Sequence, residues 1–220
     1  SGDRLSYDLP ANQIEYLKKL KQDNDKPVIA VVMGGSPMNL SEVQEIADAV
    51  LLVWYPGEEG GNAVAEVLFG NVSPSGKLPI TFPKSLDDLP PFDNYSMKGR
   101  TYRYMDSTPM YPFGFGLSYT TFSYSNLKLS KSTITKNESV TALLTVTNVG
   151  KFSSDEVVQL YLTHLPANEN IPRYSLESFQ RIHLKPGESK EVVFSIRPTL
   201  LQLVKDKGES VLNAVKLKIS

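Results

Sequence analysis

The first third of the chain alternates helical patterns with short apolar runs. Residues 11–22 carry Ile14, Leu17 and Leu20 at helical spacing, with lysines on the opposite side, which predicts an amphipathic surface helix. Residues 28–33 are apolar throughout and rich in β-branched side chains, as is typical of a strand buried on both faces of a parallel sheet. We therefore expect a layered α/β structure at this end of the chain.

The same alternation continues with a second helix and strand. Ser41 and Gln44 have the spacing of a capping box, which predicts a short helix that begins at Ser41. Residues 49–54 then predict a second buried strand. Because two strands are few for a stable sheet, we expect further strands upstream of Ser1 or support from a second domain.

A glycine-rich turn at residues 57–61 follows the second strand and precedes a third helix. The carboxyl ends of strands are where α/β sheets bind ligands, so Glu58 and Glu59 lie on the expected functional edge. These acids can cap the helix, whose N-terminus attracts negative charge, or one of them can face a ligand. Gly70 is expected to end the helix. Its apolar positions share one face: Ala63, Val64, Val67 and Leu68.

A long aromatic strap follows at residues 83–120, rich in Pro, Asp, Asn and Ser. Residues 77–82, which precede it between prolines, are a candidate for one more strand. A connection of this length is usually functional or spans two domains. Its arginines and tyrosines include Arg100, Tyr102, Arg103, Tyr104 and Tyr111. Buried rings would fasten the strap to the rest of the protein, because aromatic side chains contribute large packing areas.

From Thr121 onward the apolar positions change to a period of two. Residues 140–146, 158–162 and 192–196 alternate apolar with polar side chains, which predicts several short strands. Such a series predicts an all-β sandwich of immunoglobulin type over residues 121–220, and an incomplete α/β domain over residues 1–120. Turn signals separate the strands at Asn148-Val-Gly150, Pro186-Gly187 and Lys207-Gly208.

Composition and charge exclude several classes of function. A formal charge of −1 with scattered lysines and arginines does not indicate a nucleic-acid partner. The chain has no cysteine, so disulfides and thiolate metal sites are excluded. His164 and His183 could hold a metal, but both lie in strand patterns, and we expect none. No stretch reaches the roughly 20 apolar residues of a membrane helix.

Two long motifs, in order, carry a family resemblance. They are Pro56-Gly-Glu-Glu-Gly-Gly61, continued by Ala65, Val67-Leu-Phe-Gly70 and Pro74-Ser-Gly-Lys-Leu-Pro79, and Tyr111-Pro-Phe-Gly-Phe-Gly-Leu-Ser-Tyr119. They resemble the C-terminal α/β domain of glycoside hydrolase family 3, a family of exo-acting β-glucosidases and β-xylosidases. Leu184-Lys-Pro-Gly-Glu-Ser-Lys190 resembles the fibronectin type III-like module that follows it in many members. The expected fold is a partial α/β sandwich, helix–strand–helix–strand–helix, followed by a fibronectin III-like sandwich.

The resemblance also implies where the catalytic carboxylates lie. A retaining glycosidase uses a nucleophile and an acid/base. In this family the nucleophile is an Asp on an N-terminal barrel domain, and the acid/base is a Glu shortly before a Gly-Asp pair. Gly2-Asp3-Arg4 resembles that pair, so both acids are expected upstream of Ser1 and the chain alone is expected to be inactive. Glu58 and Glu59 suit a general acid poorly, because a helix N-terminus stabilises ionised carboxylates.

The resemblance implies a β-linked oligosaccharide as substrate, the N-terminal barrel domain of the same parent chain as partner, and no metal or organic cofactor. Aromatic faces and forked guanidinium donors suit sugar rings and hydroxyls. The candidates for residues next to the substrate are Glu58, Glu59, Arg100, Tyr102 and Tyr104. The segment 99–104 is more similar to β-xylosidases, although β-glucosidase is the first expectation. A non-catalytic carbohydrate-binding or scaffold module is the alternative from another class. The family favours a periplasmic or extracellular location.

Overall fold

The computed structural model describes residues 6–165, 171–204, 208–211 and 216–220. The chain forms two compact units. We call residues 1–71 with 78–115 the α/β unit, and residues 72–77 with 116–220 the β-sandwich unit. The domain boundary that the sequence predicts between residues 120 and 121 stays a prediction. The Gly2-Asp3-Arg4 segment lies outside the described residues.

The α/β unit follows the predicted order of elements. Its two strands pair in parallel, from Ile29 opposite Ala49 to Val32 opposite Leu52. The elements are α1 (Ala11–Lys21), β1 (Ile29–Val32), α2 (Ser41–Ile46), β2 (Ala49–Leu52), α3 (Gly60–Leu68) and α4 (Thr101–Tyr104). None of the helices in the described ranges is long and apolar enough to cross a membrane.

Strand β1 is not buried on both faces, and that expectation is wrong. Ala30 and Val32 pack against the core around Leu40. Alternate side chains of a strand point to opposite faces, and on the other face Ile29 and Val31 are 44% and 40% exposed. A continuous apolar run indicates that the side chains on both faces of the strand favour burial. It does not show which chain segment covers each face.

The predicted capping box at α2 is also wrong. Ser41 is the first helical residue, Leu40 occupies the cap position, and no side chain at that position caps the helix. The Asn39 side-chain oxygen instead accepts hydrogen bonds from the Ser41 backbone N–H at 3.0 Å and from its hydroxyl at 2.7 Å. Gln44 accepts the hydroxyl proton of Tyr111 at 2.6 Å. Asn39, just before the cap position, therefore stabilises the start of the helix, as Asn side chains commonly do.

Residues 77–82 do not form a regular strand. An isolated antiparallel bridge joins Phe82 to Tyr111, and residues 78 and 82 exchange backbone hydrogen bonds with residues 110–115. Pro79, Pro83 and Pro112 have no N–H to donate, so the pairing cannot extend into a ladder. Phe82 is fully buried in the core of the unit, with its ring centroid 6.2 Å from that of Trp54.

In the residues that the structure describes, the β-sandwich unit has two three-stranded antiparallel sheets and one short pair of strands. The sheet orders are β3-β4-β7 and β10-β5-β6, and β8 pairs with β9. The strands are β3 (Phe122–Leu129), β4 (Val140–Asn148), β5 (Ser154–Leu165), β6 (Ser175–Leu184), β7 (Ser189–Ile196), β8 (Leu203–Val204), β9 (Ser210–Val211) and β10 (Lys216–Ile219). Burial alternates strictly along β5, as the period of two predicts. The core includes Val158, Leu160, Leu184 and Phe194.

A buried asparagine joins the turns at one end of the sandwich. Asn148 is fully buried, and its amide nitrogen donates to the carbonyls of Phe152 at 2.8 Å and Leu184 at 3.0 Å. Its side-chain oxygen accepts from the Thr120 hydroxyl at 2.6 Å and the Gly150 N–H at 3.1 Å. All polar atoms of this side chain are thus satisfied, which buried polar groups require.

Candidate functional site

The turn before α3 has the backbone that its glycines predict, but its acids do not cap the helix. Gly57 has a φ of +71°, and Glu59 holds the cap position without a side-chain bond to the backbone. The Glu59 carboxylate instead accepts a hydrogen bond from the side chain of Asn62. Glu58 and Glu59 are both exposed. The capping interpretation is therefore wrong for these side chains, although Gly70, with a φ of +76°, ends the helix as predicted.

Helix α3 has little of its apolar face buried within the described residues. Val64 and Val67 are half-buried, whereas Ala63 and Leu68 are exposed. Gly60 is the buried position, and a Cβ there would lie 2.6 Å from Pro56. The glycines of the Pro56–Gly61 motif thus permit a tight strand-to-helix connection.

The strap and the segments packed beside it line a cavity of about 630 Å³ in the α/β unit, and this cavity is open to solvent. Its walls are largely apolar, with Pro37, Ile80, Leu89, Met105 and Phe113 among them. Arg100 and Tyr102 line it, whereas Glu58, Glu59 and Tyr104 do not. None of the residues lining this cavity is an Asp or a Glu. The structure therefore brings two of the five predicted site residues, Arg100 and Tyr102, to one cavity whose lining contains no carboxylate.

Arg100 is bound to the strap itself. One terminal nitrogen donates to the carbonyls of Pro91 at 2.9 Å and Asn94 at 2.7 Å, and Nε donates to the carbonyl of Ser96 at 3.2 Å. A guanidinium is suited to this role because its rigid fork presents several donors at once. The predicted contact of Arg100 with a sugar hydroxyl therefore competes with three backbone acceptors.

The strap tyrosines pack within the unit. Tyr102 stacks on Phe113, with ring centroids 4.1 Å apart and an interplanar angle of 13°. The Arg103 guanidinium lies 5.9 Å from the Tyr102 ring centroid. Tyr104 is half-buried, and Tyr111 stacks on Phe115 at 5.5 Å. Burial also raises the pKa of Tyr111. These contacts match the packing interpretation of the strap aromatics more closely than the sugar-binding one.

Two hydroxyl groups at the cavity were not singled out by the sequence. The Tyr7 hydroxyl donates to the Pro83 carbonyl at 2.9 Å, and burial, followed by the nearby charge of Asp8, raises the pKa of Tyr7 to about 12. Thr81 Oγ1 is buried and has no hydrogen-bond partner among the described residues. No local pattern marks either residue, because both are brought to the cavity by long-range packing.

Two aromatic residues on the strap are almost fully exposed. Phe92 is 95% exposed and Tyr95 is 90% exposed. Both lie in the Pro-, Asp- and Asn-rich stretch 90–96, so aromatic residues among turn-forming ones were the available sequence signal.

Part of the Pro74–Pro79 motif belongs to the β-sandwich unit, where Lys77 forms a buried ion pair. Its ammonium lies 3.3 Å from the Glu156 carboxylate, and it donates to the Gly116 carbonyl at 3.0 Å. Tyr124 donates to the same carboxylate at 2.9 Å, and burial, followed by the charge of Glu156, raises the pKa of Tyr124. A Cβ on Gly116 would lie 2.0 Å from the Gly76 carbonyl oxygen. This motif therefore has a structural role.

The two histidines lie on strands, as predicted, but make different contacts. His164 on β5 is buried, which lowers its pKa, and its Nδ1 has no partner among the described residues. His183 on β6 lies 2.7 Å from Asp155, which also contacts Arg181 at 2.6 Å. Partial burial raises the pKa of Asp155, but His183 and Arg181 lower it further than burial raises it. No group of three or more potential metal ligands occurs in the described part of the chain.

Comparison with known proteins places both halves of the chain. Residues 1–119 match the model of the glycosyl hydrolase family 3 C-terminal domain, and residues 156–220 match that of a fibronectin type III-like domain. A periplasmic beta-glucosidase of Salmonella typhimurium is 42% identical over 208 residues, which are 89% of this chain and 27% of that protein. A xylan 1,4-beta-xylosidase of Xylanibacter ruminicola is 45% identical over 188 residues, 86% of this chain and 21% of that protein.

Solved structures show the same relationship in three dimensions. A β-glucosidase from Erythrobacter marinus matches with a TM-score of 0.86 and 32% identity, over 100% of this chain and 31% of that one. The β-glucosidase of Listeria innocua in complex with isofagomine matches with a TM-score of 0.82 and 30% identity, over 96% of this chain and 31% of that one. The chain thus spans less than a third of the length of the relatives described here.

Proposed function

The chain belongs to glycoside hydrolase family 3, and we propose that it is the C-terminal part of an exo-acting β-glycosidase that removes terminal non-reducing β-D-glucosyl residues with retention of configuration. The observation that carries this proposal is the 42% identity to a periplasmic beta-glucosidase over 89% of the chain. The match covers only 27% of that relative's length, so the activity is assigned to a longer parent protein.

We propose that the nucleophile Asp and the acid/base Glu come from parent sequence preceding Ser1. A retaining glycosidase needs two carboxyl groups about 5 Å apart. The absence of Asp and Glu from the cavity lining supports this placement. Glu58 and Glu59 are exposed at the start of α3, which does not suit a general acid, because a raised pKa requires an apolar environment. In this proposal, the chain supports the catalytic half of the enzyme.

The proposal also provides a partner for the exposed apolar positions of the α/β unit. Met33, Tyr55 and Phe69 are 66%, 80% and 82% exposed. Exposed apolar side chains are candidates for burial against a further domain, because removal of apolar area from water is favourable. The N-terminal barrel domain of the same parent chain is the partner that we propose.

A β-xylosidase is the second candidate within the same family. It is supported by the 45% identity to a xylan 1,4-beta-xylosidase and by the xylosidase-like segment 99–104. A third candidate, from another class, is a carbohydrate-binding or scaffold module without catalysis. A fibronectin III-like sandwich is compatible with that role, but the fold alone implies no function.

Hydrolysis of 4-nitrophenyl β-D-glucoside and 4-nitrophenyl β-D-xyloside by the parent protein and by the 220-residue chain tests these proposals. We expect the parent to cleave the glucoside faster and to release the β-anomer first, as detected by NMR. The isolated chain should cleave neither substrate. Turnover by this chain alone would refute the placement of the carboxylates, and a parent inactive on both substrates would favour the non-catalytic module.

A further inference from the structure

The strap segment 90–97 presents two large aromatic rings to solvent. Phe92 is 95% exposed and Tyr95 is 90% exposed, whereas the strap rings Tyr102 and Phe113 stack on one another. Apolar area stabilises a fold only when it is buried. Because both rings are exposed, neither contributes its apolar area to the stability of the unit. Two such rings thus lie within four residues on a single loop.

This loop is held in one conformation by groups other than the aromatic rings. Arg100 donates to the carbonyls of Pro91, Asn94 and Ser96 at 2.9, 2.7 and 3.2 Å. The Asn94 N–H donates to the Pro91 carbonyl at 3.0 Å, and the Ser96 N–H donates to the Asn94 side-chain oxygen at 3.0 Å. Since the backbone is ordered before a ligand arrives, binding to the rings would not carry the cost of ordering the loop.

The loop is continuous with the cavity of the α/β unit. Met97, at the end of the loop, and Arg100, which holds it, both line that cavity. Thr81, whose buried hydroxyl has no partner among the described residues, lies in the same lining. The loop that carries the two exposed rings therefore ends at the lining of the cavity.

We propose that Phe92 and Tyr95 form a stacking surface for pyranose rings of a β-linked oligosaccharide, with Arg100 as the residue that positions it. A pyranose ring presents an apolar C–H face to an aromatic ring and its hydroxyls at the edge, and Asp93 and Asn94, both exposed, lie between the two aromatics to bind such hydroxyls. This role rests on the proposed function, because it would engage sugar units beyond the residue that the parent removes.

The first test measures binding rather than hydrolysis. The 220-residue chain is titrated with cellopentaose and with xylopentaose by calorimetry. We expect saturable binding that becomes about tenfold weaker in Phe92→Ala and again in Tyr95→Ala. Phe69→Ala is the matched control, because Phe69 is 82% exposed on the same unit but lies outside the loop. Equal affinity in all three variants, or no binding by the unaltered chain, would overturn the proposal.

Substitutions that keep or remove the ring separate stacking from general packing. Tyr95→Phe should retain oligosaccharide affinity, whereas Tyr95→Leu, which keeps apolar bulk, should lose it about as much as Tyr95→Ala. Arg100→Lys keeps the charge but loses the guanidinium fork that bonds to the loop carbonyls, so it should weaken binding although both aromatic side chains are still present. Full affinity in Tyr95→Leu would show that ring stacking is not involved.

Kinetics of the parent protein distinguish this inference from the proposed function. Phe92→Ala and Tyr95→Ala should raise KM for the pentasaccharide about tenfold and leave kcat/KM for a 4-nitrophenyl monosaccharide unchanged. An active parent whose KM for the pentasaccharide does not change would refute the stacking surface alone. If only the isolated chain bound the oligosaccharide, the loop would be covered in the parent, which also contradicts the proposal.

Discussion

The β-sandwich unit has a larger buried core than the α/β unit, although both units leave large apolar side chains exposed. In the described residues the sandwich core contains twelve buried residues, and the α/β core contains five. Ile29, Val31 and Met33 on or beside β1 are all more than a third exposed. Because burial of apolar area is the main stabilising contribution, we expect the sandwich to be the more stable unit in the isolated chain.

The two units also use polar groups differently. The sandwich has a buried ion pair, Lys77 with Glu156, and a fully bonded buried Asn148. In the α/β unit, the Arg100 guanidinium bonds to the backbone at the surface of the strap. The sandwich therefore combines the larger apolar core with buried polar groups that are paired. Measurements on the two units separately can test this difference.

The largest expected effect is at the buried ion pair of the sandwich. The side chains of Lys77 and Glu156 are 16% and 8% exposed, so Lys77→Met leaves an unpaired buried carboxylate. Loss of one partner of such a pair costs about 3–5 kcal/mol. The loss of free energy of unfolding is measured by urea denaturation that is monitored by far-UV circular dichroism. Lys77→Met/Glu156→Gln, which removes both charges and keeps an acceptor for Tyr124, should recover most of the loss. A cost below about 1 kcal/mol for the single variant would contradict a structural role of the pair.

Matched leucine substitutions compare the two cores directly. Leu184 in the sandwich is 0% exposed and Leu40 in the α/β unit is 1% exposed. Leu→Ala at either site should cost about 2–5 kcal/mol. Trp54, the single tryptophan, packs in the α/β unit, so its fluorescence reports that unit.

We expect Leu40→Ala to lower the urea midpoint of the fluorescence transition and Leu184→Ala to lower mainly that of circular dichroism. Coincident transitions for both probes in both variants would show that the chain unfolds as one cooperative structure.

A smaller effect on stability is expected in alkaline solution, where ionisation of Tyr7 should destabilise the α/β unit. Burial raises the pKa of Tyr7 to about 12, whereas an unfolded tyrosine has a pKa of about 10. The contribution of the neutral phenol to stability is therefore complete below about pH 10 and is lost as the pH rises toward about 12. The Trp54 urea midpoint should fall over this range in the unaltered chain and fall less in Tyr7→Phe. Identical slopes in the two proteins would show that Tyr7 is not responsible.

The smallest effect is expected at the acids before α3. Glu58→Gln and Glu59→Gln should each change the free energy of unfolding by less than about 0.5 kcal/mol, because both side chains are exposed. In the parent protein, 4-nitrophenyl β-D-glucoside should be turned over by both variants about as fast as by the unaltered enzyme. If either variant were slower by about two orders of magnitude, that residue would have an acid/base role and its assignment as non-catalytic would be overturned.

The difference between the units also explains how far the sequence could be interpreted. In β5 the period of two predicted the buried face correctly, because the opposing sheet belongs to the same chain. Strand β3 was not identified, since seven of its eight residues are exposed and show no alternation. In β1 the apolar run predicted a strand correctly but predicted its burial wrongly. An apolar residue in the sequence predicts that its side chain favours burial, but it does not predict which chain segment covers that side chain.

By itself, the sequence determined the order of helices and strands, the change to a β-sandwich and the family, because these depend on local periodicity and on contiguous motifs. Only the tertiary structure decided the use of individual side chains. It joined Lys77 to Glu156 across 79 positions, directed the Arg100 guanidinium to three strap carbonyls, and left Phe92 and Tyr95 in solvent. Such partners lie on segments that are brought together by the packing of the whole unit. A local sequence pattern therefore does not identify them.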